Sequence, residues 1–331
     1  MRRSWIVLAI LAAALLGPAF AQRVQIVIGT GGTGGVYFYY GTQVAQMLTK
    51  YAGISATAIQ TAASIDNNLL LRDKTDPNRG VYYCELSLPD SALVAYNGTH
   101  EKFKGNPAPS RILWVTYPNY LQIVTTADSG IHSLADLAGK RVSTGAPSSG
   151  TEYTTLLVLD AAGVKTDSFT KWSRLGAAES ADALANGTLD AYFWSGGIPT
   201  GSISELATTL KRKGKQLALV SLDPNGAAVQ TFMQRFPGLG VMGTIPASTY
   251  GTPQDASTLA FWNRFACPAS LPDDVAYTIT KTVFTHIQDL HDAIKPSLDT
   301  TVANTAKFIG HTTIPFHAGA IRYFKEVGAI Q

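Results

Sequence analysis

Apolar and polar positions fall into a repeating rhythm along the chain. Val24–Ile28 is a short apolar run, Gly29–Gly35 is glycine-rich, and Val36–Tyr51 carries apolar residues at helical spacing. This predicts strand, loop and helix in that order. The rhythm recurs with a strand at Ile54–Gln60, a helix opening at Ser64, a strand at Val81–Cys84 and a short helix at Asp90–Tyr96 stopped by Asn97-Gly98. Ile112–Thr126 is a long extended run interrupted by Pro118, as expected where a strand passes from one sheet to another. A second cycle follows. Ser133–Asp136 reads as a capping box, Arg141–Thr144 as a strand, and Ser149–Glu152 as a capping box opening a long helix. Gly187–Trp194 is a turn and strand ending at Ser195-Gly196-Gly197, and Ser204–Lys211 is a helix. A return crossing is expected at Thr258–Cys267, then helices over Val275–Ile294 and Ala320–Val327. Strands alternating with helices imply βαβ units and a mostly parallel sheet. Two α/β lobes joined by extended crossovers is the simplest arrangement, with one large doubly wound domain as the alternative.

Composition narrows the function classes. Arg2 and Arg3 precede an apolar run of twelve residues, Trp5–Leu16, and Ala19-Phe20-Ala21 supplies a small-x-small site. Residues 1–21 therefore read as a secretory leader cut before Gln22, placing the mature protein in the periplasm. No Cys follows the cut, which argues against a lipid anchor. Without Arg2 and Arg3 the chain carries 24 basic against 23 acidic residues. That near-neutral balance, with no long basic block, argues against nucleic acid as a partner. Cys84 and Cys267 have no motif around them. Two buried thiols is the default expectation, and a disulfide the alternative open to an exported protein.

The loops after the strands carry the chemistry. Gly29, Gly31, Gly32, Gly34 and Gly35 lie within seven residues, so backbone N–H groups can approach a ligand and the next helix aims its N-terminus at the same place. The letters fit G-x-G-x-x-G, yet Ile54–Ser64 contains no acid for a ribose, and no Lys follows the glycines. Dinucleotide and P-loop readings both fail. The second loop runs Thr61–Asn67, with Ser64 as N-cap and Asn67 turning back toward it. The third, Ala146–Thr151, is again rich in hydroxyls, and the fourth is Ser195-Gly196-Gly197. Several helix N-termini converging on one cleft suit a carboxylate without an arginine, with Tyr37, Tyr117 and Trp194 as walls. The six histidines are scattered; His286 and His291 are five apart, and there is no Cys-x-x-Cys and no G-x-S-x-G. No metal site or catalytic constellation is expected. Ser148 or Ser149 as the nucleophile of an exported hydrolase is the alternative, and it requires a base within reach.

The segments IGTGGTGGVYF, TAASIDN, DSGIHSLADLAGKRVSTGAPSSGTE, NGTLDAYFWSGGIP, LPDDVAYTITKTVF and IPFHAGAIRYFKEVG together resemble the TAXI subgroup of TRAP-transporter solute-binding proteins, over essentially the whole mature chain. The resemblance implies a two-lobed, type II periplasmic-binding-protein-like (Venus-flytrap) fold. Lobe I would comprise 22–125 plus 258–331 and lobe II 126–257, with a ligand cleft between them. It implies a non-enzymatic receptor with no cofactor, working as a monomer. The receptor would bind a small carboxylate solute (amino acid, dicarboxylate or keto acid) and deliver it to TRAP membrane permease subunits. It implies ligand contacts from Gly34, Tyr37, Ser64, Asn67, Ser149, Gly150, Thr151 and Gly197, to which the residue reading adds Tyr117 and Trp194. The chain departs from the family at Cys84–Asp90, where a Val-Gln-Ser-Asp-like run is replaced. Glu85 is expected near the pocket there, disfavouring a second carboxylate.

Overall fold

The computed structural model describes residues 24–331, so the leader and its cleavage before Gln22 lie outside the described residues. In the first cycle, β1 (Gln25–Gly29), β2 (Ser55–Ile59) and β3 (Val81–Ser87) pair in parallel in the order β2-β1-β3. They alternate with α1 (Val36–Ala52), α2 (Ser64–Lys74) and α3 (Pro89–Tyr96). In the second cycle, β5 (Arg141–Ser143), β6 (Lys171–Ser173) and β7 (Ala191–Gly196) are again parallel, with β5 in the middle. Their helices are α4 (Gly150–Ala161), α5 (Ala177–Ala185) and α6 (Gly201–Arg212).

Two long antiparallel strands join the cycles, β4 (Ser110–Thr126) and β10 (Ala256–Pro268). The sheet order is β2-β1-β3-β10-β4-β7-β5-β6. β8 (Leu217–Leu219) pairs with β4, and β9 (Gly240–Ile245), reached through α7 (Ala227–Arg235), pairs with β10. The mostly parallel sheet expected from the alternation thus holds within each cycle, and antiparallel strands form its centre. Partners change along the crossing strands. β10 contacts β3 through Arg264–Ala266 and β9 through Ala256–Phe261. β4 takes up β7 from Tyr120 onward. Pro118, which has no N–H to donate, sits just before that change, opposite Trp262 and beside a register shift in β10.

The first cycle buries a core of Ile26, Tyr40, Leu48, Trp114, Phe265 and Phe324 beneath α1, α8 (Asp273–Thr285) and α11 (Ala318–Glu326). The expected helix over Val275–Ile294 is broken at His286 into α8 and α9 (Ile287–Ala293), and α10 (Val302–Ala306) precedes α11. A second core runs from Ile65 and Leu88 through Leu121 to Val158, Phe193 and Phe232, so apolar packing is continuous between the halves.

The two cysteines correct the default expectation. Cys84 and Cys267 form a disulfide, with S–S at 2.05 Å. The pairing of Glu85 with Ala266 puts them directly opposite each other on antiparallel β3 and β10. Sequence separation hid this, because partners 183 residues apart are brought together only by the return of β10.

Candidate functional site

A cavity of about 180 Å³ lies between the halves, at the carboxyl ends of β1, β2, β5 and β7. Four helices present their first turns to it. They are α1 at Gly35–Tyr37, α2 at Ala63–Ser64, α4 at Ser149–Thr151 and α5 at Gly176–Ala177. Of these only α4 has a side-chain cap, Ser149 Oγ accepting from Glu152 N at 3.0 Å. The N-cap residues of α1, α2 and α5 supply no side-chain cap, although the Ala63 N–H at the start of α2 donates to Thr61 Oγ1 at 3.0 Å. Among the described lining residues none is Lys, Arg or His, and Glu179 is the one charged side chain.

Seven of the residues singled out in the sequence line this cavity: Tyr37, Ser64, Tyr117, Ser149, Gly150, Thr151 and Trp194. Thr151 Oγ1 accepts from Ser195 N at 3.1 Å, tying the start of α4 to the end of β7. Trp194 Nε1 donates to Thr200 Oγ1 at 3.2 Å, and a Cβ on Gly35 would stand 2.8 Å from the Trp194 ring. The Tyr37 hydroxyl donates to Asn263 Oδ1 at 2.6 Å, and burial pushes its pKa well above the ordinary phenol value, so it stays protonated. On the lining residues Tyr117, Asn119 and Ser195, the Tyr117 hydroxyl, Asn119 Oδ1 and Ser195 Oγ are buried without a protein partner.

Four residues lie elsewhere, and each corrects an expectation. Gly34 meets the other half of the molecule instead of the cavity. A Cβ there would be 3.0 Å from Ala178 N, and its carbonyl accepts from Ser202 N at 3.4 Å. Gly197 packs behind the wall, where a Cβ would stand 2.8 Å from the Tyr117 ring. Asn67 is a buried brace. Its Nδ2 donates to the carbonyls of Thr30 and Leu86, both at 2.8 Å, and its Oδ1 accepts from Thr61 at 2.6 Å. The reason is a one-residue slip in the expected cap. Ala63, at φ 81°, is the N-cap of α2 and Ser64 its first helical residue, which turns Asn67 inward toward the strands. Asp66 takes the position expected of Asn67, accepting from Ala62 N at 3.2 Å.

Glu85 is buried under the sheet, outside the cavity lining, with both carboxylate oxygens unpartnered. Burial raises its pKa well above the ordinary range, against the pull of Arg264. Burial likewise lowers the Arg264 guanidinium to about 10. Strand alternation accounts for the position. Cys84 faces the core under α1, so Glu85 faces the opposite side of β3. The acid at the cavity is Glu179, which sequence reasoning missed along with Asn119 and Gly176. Gly176 opens α5 with no hydroxyl or acid at its cap, and Glu179 in the first turn is the one local sign of a helix start there.

The profile of the NMT1-like family matches residues 28–328. The chain belongs to the NMT1-like family. This NMT1-like chain is similar in fold to a binding protein component of an ABC phosphonate transporter from Pseudomonas aeruginosa. The two share 12% identity with a TM-score of 0.54, covering 92% of this chain and 95% of that one. It is also similar to MatC from Rhodopseudomonas palustris with bound malate, at 13% identity and a TM-score of 0.53, covering 93% and 97%. The fold of the NMT1-like chain is the two-lobed one of periplasmic binding proteins. The cavity with its four helix starts lies where the two lobes face one another.

Proposed function

We propose that this protein is the extracytoplasmic solute receptor of a TRAP-type secondary transporter of the TAXI subgroup. It holds a small carboxylate solute in the inter-lobe cavity and delivers it to a membrane permease. The observation that carries the reading is the cavity itself, with three uncapped helix N-termini and no basic side chain among its described lining residues. Aligned peptide dipoles stabilise an anion there by about 0.3–1 kcal/mol per helix, and up to about 2 in a partly buried geometry. Tyr37, Ser64, Tyr117, Ser149, Gly150, Thr151 and Trp194 are the proposed ligand contacts. The strand pairings support a lobe boundary at Pro118–Asn119 and Trp262–Asn263, somewhat inside the limits of 125 and 258 read from sequence.

Thermal-shift screening against carboxylates, amino acids and keto acids tests the reading. A solute at 100 times its Kd adds about 2.7 kcal/mol of stability. A broad panel that never moves the melting temperature would remove the receptor function.

One contact favours the hydrolase alternative. Lys102 Nζ lies against Ser148 Oγ, and Ser148 has a φ of 66°. Ser148 is not among the cavity-lining residues, however, and an exposed ammonium that donates to a hydroxyl has no lone pair with which to take its proton. Turnover of simple ester substrates that disappears in Ser148→Ala would revive it.

A further inference from the structure

The helix starts around the cavity are not equivalent in charge. Three of the four carry an acid in the first turn, Asp66 in α2, Glu152 in α4 and Glu179 in α5, whereas α1 carries none. α1 also has no side-chain cap, so its positive end is the least compensated of the four. Two of the three acids are engaged within the protein. Asp66 Oδ2 accepts from Ala62 N at 3.2 Å, and Glu152 is ion-paired with Arg174. Glu179 differs from both. It is exposed, it lines the cavity, and among the described residues it takes part in no hydrogen bond or ion pair. Its carboxylate folds back over the start of its own helix, where a Cβ on the lining residue Gly176 would stand 2.5 Å from Oε2.

The uncompensated helix end and the unpaired carboxylate are close together. Gly34 precedes the N-cap of α1, and Ala178 precedes Glu179. These two residues meet, since a Cβ on Gly34 would be 3.0 Å from both N and Cβ of Ala178. Each pole is thus one residue away from the same contact, and the two belong to opposite lobes. A solute that reaches both needs unlike charges on neighbouring carbons, not at the ends of a long chain. An anion with no positive group satisfies α1 and leaves a like charge beside it at Glu179. An ammonium in that place gains a charge-assisted hydrogen bond instead. We propose that Glu179 is a specificity-determining residue, and that it makes the cavity select a carboxylate bearing an ammonium on a neighbouring carbon over oxo acids and dicarboxylates. The inference rests on the carboxylate reading above. It assigns to Glu179 the discrimination against a second carboxylate that the sequence suggested for Glu85.

The test is calorimetric titration of the full mature chain with matched acids of three and five carbons. The unsubstituted, 2-amino, 2-oxo and dicarboxylic compounds are compared at each length, with the 5-amino acid added at five carbons. The 2-amino acid is expected to bind roughly 10-fold or more tighter than the unsubstituted and 2-oxo acids of the same length, with the dicarboxylate weakest. Moving the amino group to the far end of the five-carbon chain should reduce its advantage to about threefold or less. Glu179→Gln should shrink the advantage of the 2-amino acid to a similar level, and Glu179→Lys should turn the preference toward the dicarboxylate. A carboxylate that serves only the dipole of α5 would leave the ranking of the acids unchanged in both variants, and that result overturns the proposal. Equal wild-type affinity for the 2-amino and unsubstituted acids also overturns it and leaves the carboxylate reading standing. Failure of every acid to bind overturns both. The wild-type series decides the question even if a variant does not fold.

Discussion

Two side chains that read as ligand contacts do structural work instead, and each yields a measurable consequence. Asn67 ties two loops to β3 through Thr30, Thr61 and Leu86. Asn67→Ala leaves two buried carbonyls without their donor, and unfolding in urea should show a loss of roughly 2–4 kcal/mol at unchanged slope. Glu85 is buried without a hydrogen-bond partner, and its folded pKa lies well above the ordinary 4.5 that the unfolded chain would show. The native state therefore binds this proton more tightly than the unfolded chain does. The stability that this difference contributes is complete below about pH 4.5 and drains away as pH rises through the raised value. Glu85→Gln mimics the protonated form. Urea midpoints should nearly coincide at pH 4 and separate in favour of the variant as pH increases. A gap that stays constant would contradict the assignment. The residue types were legible in the sequence, but their directions were not. A one-residue slip of the cap turned Asn67 inward, and strand alternation put Glu85 on the face of β3 opposite Cys84, outside the cavity lining.

The strand–loop–helix cycles were legible as elements because each apolar run is bounded by glycine, hydroxyl or proline punctuation. The starts of α1, α2 and α4 fell within a residue of their expected places. The start of α5 did not, because Gly176-Ala177-Ala178 carries no capping chemistry. The glycine loop was read as a ligand cradle, and its real use is divided. Gly32 faces open space and lines the cavity, whereas Gly34 and Gly35 let the loop approach Ala178 and Trp194 of the other lobe. Backbone conformation is not the reason, since neither residue has a positive φ. Closure is thus built into this element. Gly34→Val should hold the lobes apart, weakening any solute that stabilises the wild type by roughly tenfold or more, with little change in the unfolding midpoint of the free protein. Small-angle scattering is the direct check. The wild type should compact on adding that solute and the variant should not.

Across the whole molecule, the lobes are joined by two strands that are hydrogen-bonded to each other, so any opening must bend β4 and β10 together near Pro118 and Trp262. The disulfide lies just to one side of this region, between β3 and the end of β10. Closing a loop of 183 residues in the unfolded chain makes this bond worth roughly 3–5 kcal/mol, so Cys84→Ala with Cys267→Ala, or reductant alone, should lower the urea midpoint accordingly. Its position also sets an order of assembly during synthesis. Residues 119–262 form one uninterrupted stretch, while the other lobe needs the far half of β10 and the helices after it, which emerge later. The second lobe to begin is therefore the first to be finished. Throughout that interval Cys84 has no Cys267 to pair with. The chain holds two cysteines, so Cys84 has no wrong partner within its own molecule. Its exposure in that window is to other chains and to small thiols, and the yield of native protein at high expression will be governed by how quickly Cys267 arrives.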